Sequence, residues 1–243
     1  MMRALAVISL TAFASAAPTT TISSYNSGAA ARIPTSKGFT LVAKVISDPS
    51  HKLASSVNNR VVIAAHTGAG LNVAVLYPED NDGSIFYQNG TAEQVASGET
   101  TIINDEATPP SPFGMQIQTP QAFDLVYPKE HSITINAGLG SKVSFETKRD
   151  ITVLRNGLDV SGTGAFAVCN NTVPYYRTKF WTLMYTYAGE ELAEDACVLV
   201  LLVPKCAVLK DLPKGAYSSH EFAVEVECYE DPGAFAGWLG KKG

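Results

Sequence analysis

The sequence has no excess of basic residues. Its 243 residues include 18 Lys and Arg against 23 Asp and Glu, for a formal net charge of −5. Proteins that bind nucleic acids attract phosphate groups with clustered Lys and Arg, and no such cluster occurs here. We therefore do not expect nucleic acid as a partner.

Hydrophobic runs long enough to cross a membrane are also missing. A transmembrane helix needs about 20 consecutive apolar residues. The N-terminal run covers only residues 4–14, and the run in "CVLVLLVPKC" covers only residues 198–203. We therefore expect no membrane partner.

Recognisable catalytic and metal-binding motifs are absent as well. The chain has no G-x-S-x-G and no H-E-x-x-H. Residues 218–221, "SSHE", place Ser and His side by side, but neighbours on a strand point to opposite faces and do not form a triad. Acidic pairs such as Asp105–Glu106 are interpreted as solvated loops. The sequence predicts no catalytic residue, no metal site and no cofactor.

The N-terminus is typical of a secretory signal peptide over residues 1–16. Arg3 precedes an apolar stretch, and Ala14–Ser15–Ala16 matches the A-x-A cleavage pattern. We therefore expect a protein that is secreted, either extracellular or held in the cell wall. Composition divides the remainder into a flexible Ser/Thr/Pro-rich leader, an all-β domain and a flexible tail, at residues 17–36, 37–232 and 233–243.

Short runs of β-branched and aromatic residues, separated by turn residues, predict strands throughout the domain. We expect a single antiparallel β-sandwich or closed barrel, with a β-trefoil as the alternative. Asn156–Gly157 predicts a type I′ turn between two of the strands. The predicted strands are 39–46, 60–66, 72–77, 84–88, 100–104, 115–119, 123–127, 132–136, 142–147, 151–155, 158–162, 165–169, 180–187, 197–203 and 221–228.

Four cysteines lie in the last third of the chain, without the C-x-x-C spacing of zinc or redox sites. In an oxidising compartment they predict two disulfides. A strand at 197–203, ended by Pro204, would hold Cys197 and Cys206 too far apart to bond. Two connectivities remain, and Cys169–Cys197 with Cys206–Cys228 is favoured over Cys169–Cys206 with Cys197–Cys228. Alternation in 221–228 predicts that Phe222 and Cys228 face inward.

Two sequons, at Asn89 and Asn170, predict N-glycosylation. Candidate ligand residues come from two places. The stretch "HTGAGLN" (66–72) is interpreted first as a tight turn, and His66 and Asn72 would be its binding residues. The aromatic band at 173–187 predicts mainly a buried strand face, but Tyr175, Tyr176 or Trp181 would be its sugar-stacking residues.

The segments "FTLVAKV", "HTGAGLN", "FYQNGTAEQV", "CNNTVPYY" and "LPKGAYSSHEF" together resemble a family of uncharacterised secreted ascomycete proteins with a domain of unknown function, over residues 38–232. The order "FAVCNNT", "FWTLMY", "ACVLVLL" is more distantly similar to the fungal cell-wall protein phiA. The resemblance implies an extracellular or wall-associated protein without an established enzymatic activity. We therefore expect a non-enzymatic protein whose partner is wall polysaccharide or a host surface. The alternatives are a carbohydrate-binding or host-interacting module and a hydrolase whose carboxylates meet only in the fold.

Overall fold

In the computed structural model, the described residues are 33–46, 51–119, 131–148, 151–159, 162–190, 192–193 and 195–233. Contacts divide the chain into Met1–Arg32 and Ile33–Gly243, and every described residue belongs to the second unit. The expected signal peptide, most of the expected leader and tail, and the predicted strand at 123–127 lie outside the described residues.

Strands dominate the described part of the chain, and every pairing between them is antiparallel. The described residues form two short helices, and neither is long and apolar enough to cross a membrane. The helices are α1 (Ala54–Val57) and α2 (Ala92–Ser97). The strands are β1 (Thr35–Ser36), β2 (Gly38–Val45), β3 (Val61–Gly68), β4 (Leu71–Tyr77), β5 (Phe86–Asn89), β6 (Thr101–Asn104), β7 (Phe113–Ile117), β8 (His131–Ala137), β9 (Val143–Lys148), β10 (Ile151–Asn156), β11 (Ala165–Val173), β12 (Thr178–Thr186), β13 (Cys197–Ala207), β14 (Ala223–Val224) and β15 (Val226–Glu227).

The large sheet closes on itself. β2 pairs with β13 along one edge and with β5 along the other. From β13 the pairings continue through β11, β12, β8, β7 and β6 back to β5. The β3–β4 hairpin makes a second bridge between β2 and β12. The prediction of an antiparallel sandwich or closed barrel is confirmed.

β13, which contains "CVLVLLVPKC", lies between β11 and β2 with both faces covered. Val198, Val200 and Leu202 belong to the main core, which the pairing of β13 with β2 and β11 holds in place. On the other face, Val203 packs with the β10 residues Ile151 and Val153. Burial on both faces explains why this strand has no polar alternation.

The prediction that Pro204 ends this strand is wrong, because β13 continues to Ala207 with Pro204 opposite Leu41. The oxygen of Pro204 accepts a hydrogen bond from Tyr229 N at 3.0 Å. Since the nitrogen and oxygen of one strand residue point to the same side, the nitrogen of Pro204 also faces away from β2. The missing N–H therefore costs the β2–β13 ladder no hydrogen bond.

Two disulfides join Cys169 to Cys197 and Cys206 to Cys228, the connectivity that the sequence favoured. The first closes the end of the β11–β13 ladder, where the two cysteines lie opposite each other. The second connects β13 to the residue that follows β15. The two ends of β13 are therefore fastened to different parts of the domain.

The predicted I′ hairpin at Asn156–Gly157 is wrong. β10 pairs instead with the preceding β9, and neither Asn156 nor Gly157 has a positive φ. Beyond Asn156, whose Oδ1 accepts a hydrogen bond from Leu158 N, the chain leaves the ladder, so no strand begins at 158. Gly157 is required for a different reason: a Cβ there would lie 2.6 Å from the main-chain oxygen of Gly98.

The segment predicted as one strand at 221–228 forms two short strands, β14 and β15, separated by Glu225. Cys228 faces inward as predicted, but Phe222 is 48% exposed because the break places Ala223 inside instead. β15 pairs with β1, so Thr35 and Ser36 of the expected leader are already part of the folded domain.

Candidate functional site

Three of the five sequence-predicted ligand residues, His66, Tyr175 and Tyr176, meet on one surface, which we term the aromatic surface. The two tyrosines lie in the turn at 174–177 between β11 and β12. Two hydrogen bonds hold this turn to Val173, whose oxygen accepts from Tyr176 N at 3.1 Å and from Arg177 N at 2.9 Å. The pairing of β11 with β12 thus determines where both rings stand.

The rings of the aromatic surface are fixed by contacts with one another. The hydroxyl of Tyr176 donates to the main-chain oxygen of His66 at 2.6 Å. The imidazole of His66 meets the Tyr175 ring edge-on, with 6.0 Å between centroids, and the two tyrosine rings are 5.0 Å apart. Tyr176 also packs against Phe180 of β12. These contacts order side chains that would otherwise rotate freely in solvent.

Despite these contacts, the aromatic surface remains open to solvent. Tyr175 is 58% exposed and Tyr176 is 40% exposed. Arg177 follows with φ 54°, a left-handed conformation that is unfavourable for a residue with a Cβ. The fold therefore accepts backbone strain next to two exposed aromatic rings. Such an arrangement can stack a flat, partly apolar ligand.

The structure places Asn72 and Trp181 away from the aromatic surface. Asn72 is 5% exposed, and its side-chain amide donates to the oxygen of Ile135 at 2.9 Å. It lies opposite His66 in the β3–β4 hairpin, which confirms the interpretation of 66–72 as a tight turn. Trp181 packs against the main core beside Leu183 and Tyr185. The buried-face interpretation of the aromatic strand is therefore confirmed.

Both sequon asparagines are half-buried strand residues. Asn89 ends β5, between β6 and β14, and Thr91 of the same sequon caps α2 in a capping box with Gln94. Asn170 lies in β11 opposite Trp181, near the turn that carries the aromatic surface. Glycosylation at either residue remains a prediction.

A second group of polar residues was not predicted from sequence. His220 Nε2 lies 2.8 Å from Asp105 Oδ2, although 115 residues separate them. Tyr87 donates from its hydroxyl to Asp105 Oδ1 at 3.3 Å and meets the His220 ring edge-on. Burial, followed by the nearby Asp105 carboxylate, raises the pKa of Tyr87 well above its usual range, so the hydroxyl stays a donor.

The interpretation of Asp105–Glu106 as a solvated pair is wrong, because both side chains are half-buried after β6. Burial raises the pKa of Glu106, partly opposed by a hydrogen bond from Asn104. Among the described residues no hydrogen bond joins His220 to Ser218, so the group lacks the activated nucleophile of a Ser–His–Asp triad. The described part of the chain also holds no set of three His, Cys, Asp or Glu residues placed to bind a metal.

Comparison with known proteins identifies the family. Residues 36–206 match the model of the domain of unknown function DUF7907. The chain belongs to this family. A relative from the fungus Stachybotrys chartarum, named antigenic protein SchS34, is 35% identical over 208 residues, which cover 82% of this chain and 89% of the relative. No solved structure matches. These comparisons support an uncharacterised fungal family, and the more distant resemblance to phiA stays an expectation.

Proposed function

We propose that this member of the DUF7907 family is a secreted, non-enzymatic protein that binds cell-wall polysaccharide through the aromatic surface. The observation that carries the proposal is the position of His66, Tyr175 and Tyr176. These residues come from distant parts of the sequence, pack against one another, and leave two tyrosine rings exposed.

Sugar rings have flat faces of C–H groups bordered by hydroxyls. A tyrosine ring offers an apolar face together with a phenolic oxygen, so it can stack on such a ring and hydrogen-bond at its edge. Two such rings, already ordered by the contact between Tyr176 and His66, lose little conformational freedom on binding. Exposed apolar side chains grouped in one place also indicate an interaction site.

The extracellular part of the proposal rests on several independent features. Two disulfides use all four cysteines, as is usual in oxidising compartments. The signal peptide at 1–16 and the two sequons predict passage through the secretory pathway. The name of the relative, antigenic protein SchS34, also fits an extracellular protein.

The experiment uses the disulfide-bonded protein purified from culture medium. Retention on insoluble chitin and β-glucan is compared for the parent, Tyr175→Ala and Tyr176→Ala. Tyr217→Ala is the matched control, since Tyr217 is 76% exposed and makes none of these ring contacts. Each ring contact contributes about 0.5–1.5 kcal/mol, so Tyr175→Ala and Tyr176→Ala should each bind the polysaccharide about two- to tenfold more weakly than the parent.

If the parent protein is not retained on either polysaccharide, polysaccharide binding is refuted. If Tyr217→Ala loses as much retention as Tyr175→Ala and Tyr176→Ala, binding through the aromatic surface is refuted. Release of soluble sugar from the same polysaccharides by the parent protein would instead favour a hydrolase. Secretion is tested separately by fractionating a culture. A cytosolic protein with free thiols would contradict it.

A further inference from the structure

A cavity of about 460 Å³ lies beside the Asp105–His220 pair, where the chain enters β5, leaves β6 and leaves β13. We term it the Asn104 cavity. Its walls combine apolar side chains, including Ile85, Leu209 and Leu212, with polar groups from 104–106 and 210–211. A cavity that combines an apolar wall with a few converging polar groups is the usual form of a small-molecule site.

Asn104 is 3% exposed and lines this cavity. Its side-chain nitrogen donates to Glu106 Oε1 at 3.1 Å, which fixes the orientation of the amide. Its Oδ1 is buried and accepts no hydrogen bond from any described residue. Leaving a buried acceptor unsatisfied costs about 1–3 kcal/mol, so a donor that reached this oxygen from the adjoining cavity, after a small movement of the amide, would stabilise the folded protein.

Glu106 is the second acceptor with remaining capacity. It is half-buried, and among the described residues Asn104 Nδ2 is the one donor that contacts its carboxyl group. No ion pair in the described part of the chain involves Glu106. The cavity lining carries carboxyl groups from Glu106, Asp211 and Asp105, the last already paired with His220, against one ammonium group, from Lys210. The surroundings therefore favour a positively charged donor.

We propose that the Asn104 cavity binds a small protonated amine that carries an apolar group. The ammonium group donates to Asn104 Oδ1 and Glu106, and the apolar group lies against Ile85, Leu209 and Leu212. A metal ion fits less well, because no three metal-ligating side chains of the described residues converge. The site is independent of the aromatic surface, which shares no residue with the cavity lining.

The test is a titration of the disulfide-bonded protein with 2-phenylethylamine, followed by backbone amide NMR shifts. 2-Phenylethanol is the neutral control, since it has a similar shape without the charge. The amine should shift the amides of 104–106 and 209–212 and bind at least about tenfold more tightly than the alcohol, because hydrogen bonds to charged groups contribute about 1.5–3 kcal/mol. This comparison requires no variant and so does not depend on folding of a mutant.

Glu106→Gln should weaken amine binding by about tenfold or more while preserving an oxygen for Asn104. Asp80→Asn makes the same charge change at an exposed residue and should bind like the parent. Equal binding of amine and alcohol would show a merely apolar cavity. Unchanged binding in Glu106→Gln would show that the ammonium group does not contact this carboxylate, and no shifts at 104–106 would show that the amine does not bind in this cavity. Either result overturns the proposal.

Discussion

The hydroxyl of Tyr176 reaches across the domain surface to the main-chain oxygen of His66, at 2.6 Å. This hydrogen bond connects the β11–β12 turn to β3, two segments that are 110 residues apart. The neighbouring Tyr175, in contrast, has ring contacts, but its hydroxyl donates no hydrogen bond to any residue that the structure describes. Both tyrosines make ring contacts, and Tyr176 adds a hydrogen bond to them.

Removing only the hydroxyl of Tyr176 tests this difference. Tyr176→Phe should lower the free energy of unfolding by about 0.5–1.5 kcal/mol, the usual net contribution of one hydrogen bond. Tyr175→Phe is the matched control and should leave stability nearly unchanged. Urea unfolding of the three proteins measures both effects. Equal stability of the two variants would show that the Tyr176–His66 hydrogen bond contributes little in solution.

Substitution of Asp159 should lower the free energy of unfolding more than substitution of Tyr176 does. Its carboxylate is 5% exposed and accepts from Tyr185 Oη at 2.9 Å, Gly164 N at 2.6 Å and Gly162 N at 3.2 Å. Asp159→Asn replaces one acceptor oxygen with an NH₂ group that faces donors, so we expect a loss of about 1–3 kcal/mol or more in unfolding free energy. Asp80→Asn, at an exposed position, is the control. A loss no larger than the control's would contradict this account.

Glu106 makes stability depend on pH in a definite direction. Burial raises its pKa above the usual 4.5, so between 4.5 and the raised value the folded state holds more protons than the unfolded state. The stabilisation is fully present below 4.5 and is lost as the pH rises through the folded pKa. The free energy of unfolding of Glu106→Gln, taken relative to that of the parent, should therefore be higher at pH 7 than at pH 4.

Urea unfolding of both proteins between pH 4 and pH 8 measures this difference. Carboxyl groups distant from residue 106 contribute equally to both curves, so the difference between the curves reports mainly on Glu106. Parallel curves would show that the carboxyl group is as well solvated when folded as when unfolded.

Local patterns predicted most of the strands and the disulfide connectivity. A fully extended strand at 197–203 separates Cys197 from Cys206 whatever surrounds it, so distance alone excluded that bond. The prediction of a tight turn at 66–72 likewise used only residues that are close in sequence. These predictions held because each depended on residues close in sequence.

The errors arose where distant segments determine the structure. The strand continues through Pro204 because Tyr229 N donates a hydrogen bond to the oxygen of Pro204, on the side that faces away from β2. Gly157 packs against Gly98 rather than forming a hairpin turn. Lys44 is 2% exposed, with its ammonium bonded to Asn59 Oδ1, which no strand pattern indicates. The Asp105–His220 pair likewise depends on how the chain after β6 meets the chain before β14.

The two disulfides should differ in what they hold in place. Cys206–Cys228 fastens the end of β15, whose pairing with β1 spans only two residue pairs, whereas Cys169–Cys197 joins strands already paired over several residues. Replacing either pair with alanine should cost about 3 kcal/mol, because the loops are of similar length. Only Cys206→Ala/Cys228→Ala should lose amide protection in β1 and β15. Hydrogen exchange measured on both double variants compares them directly, and the same protection pattern in both would mean that the β1–β15 pairing does not depend on its neighbouring disulfide.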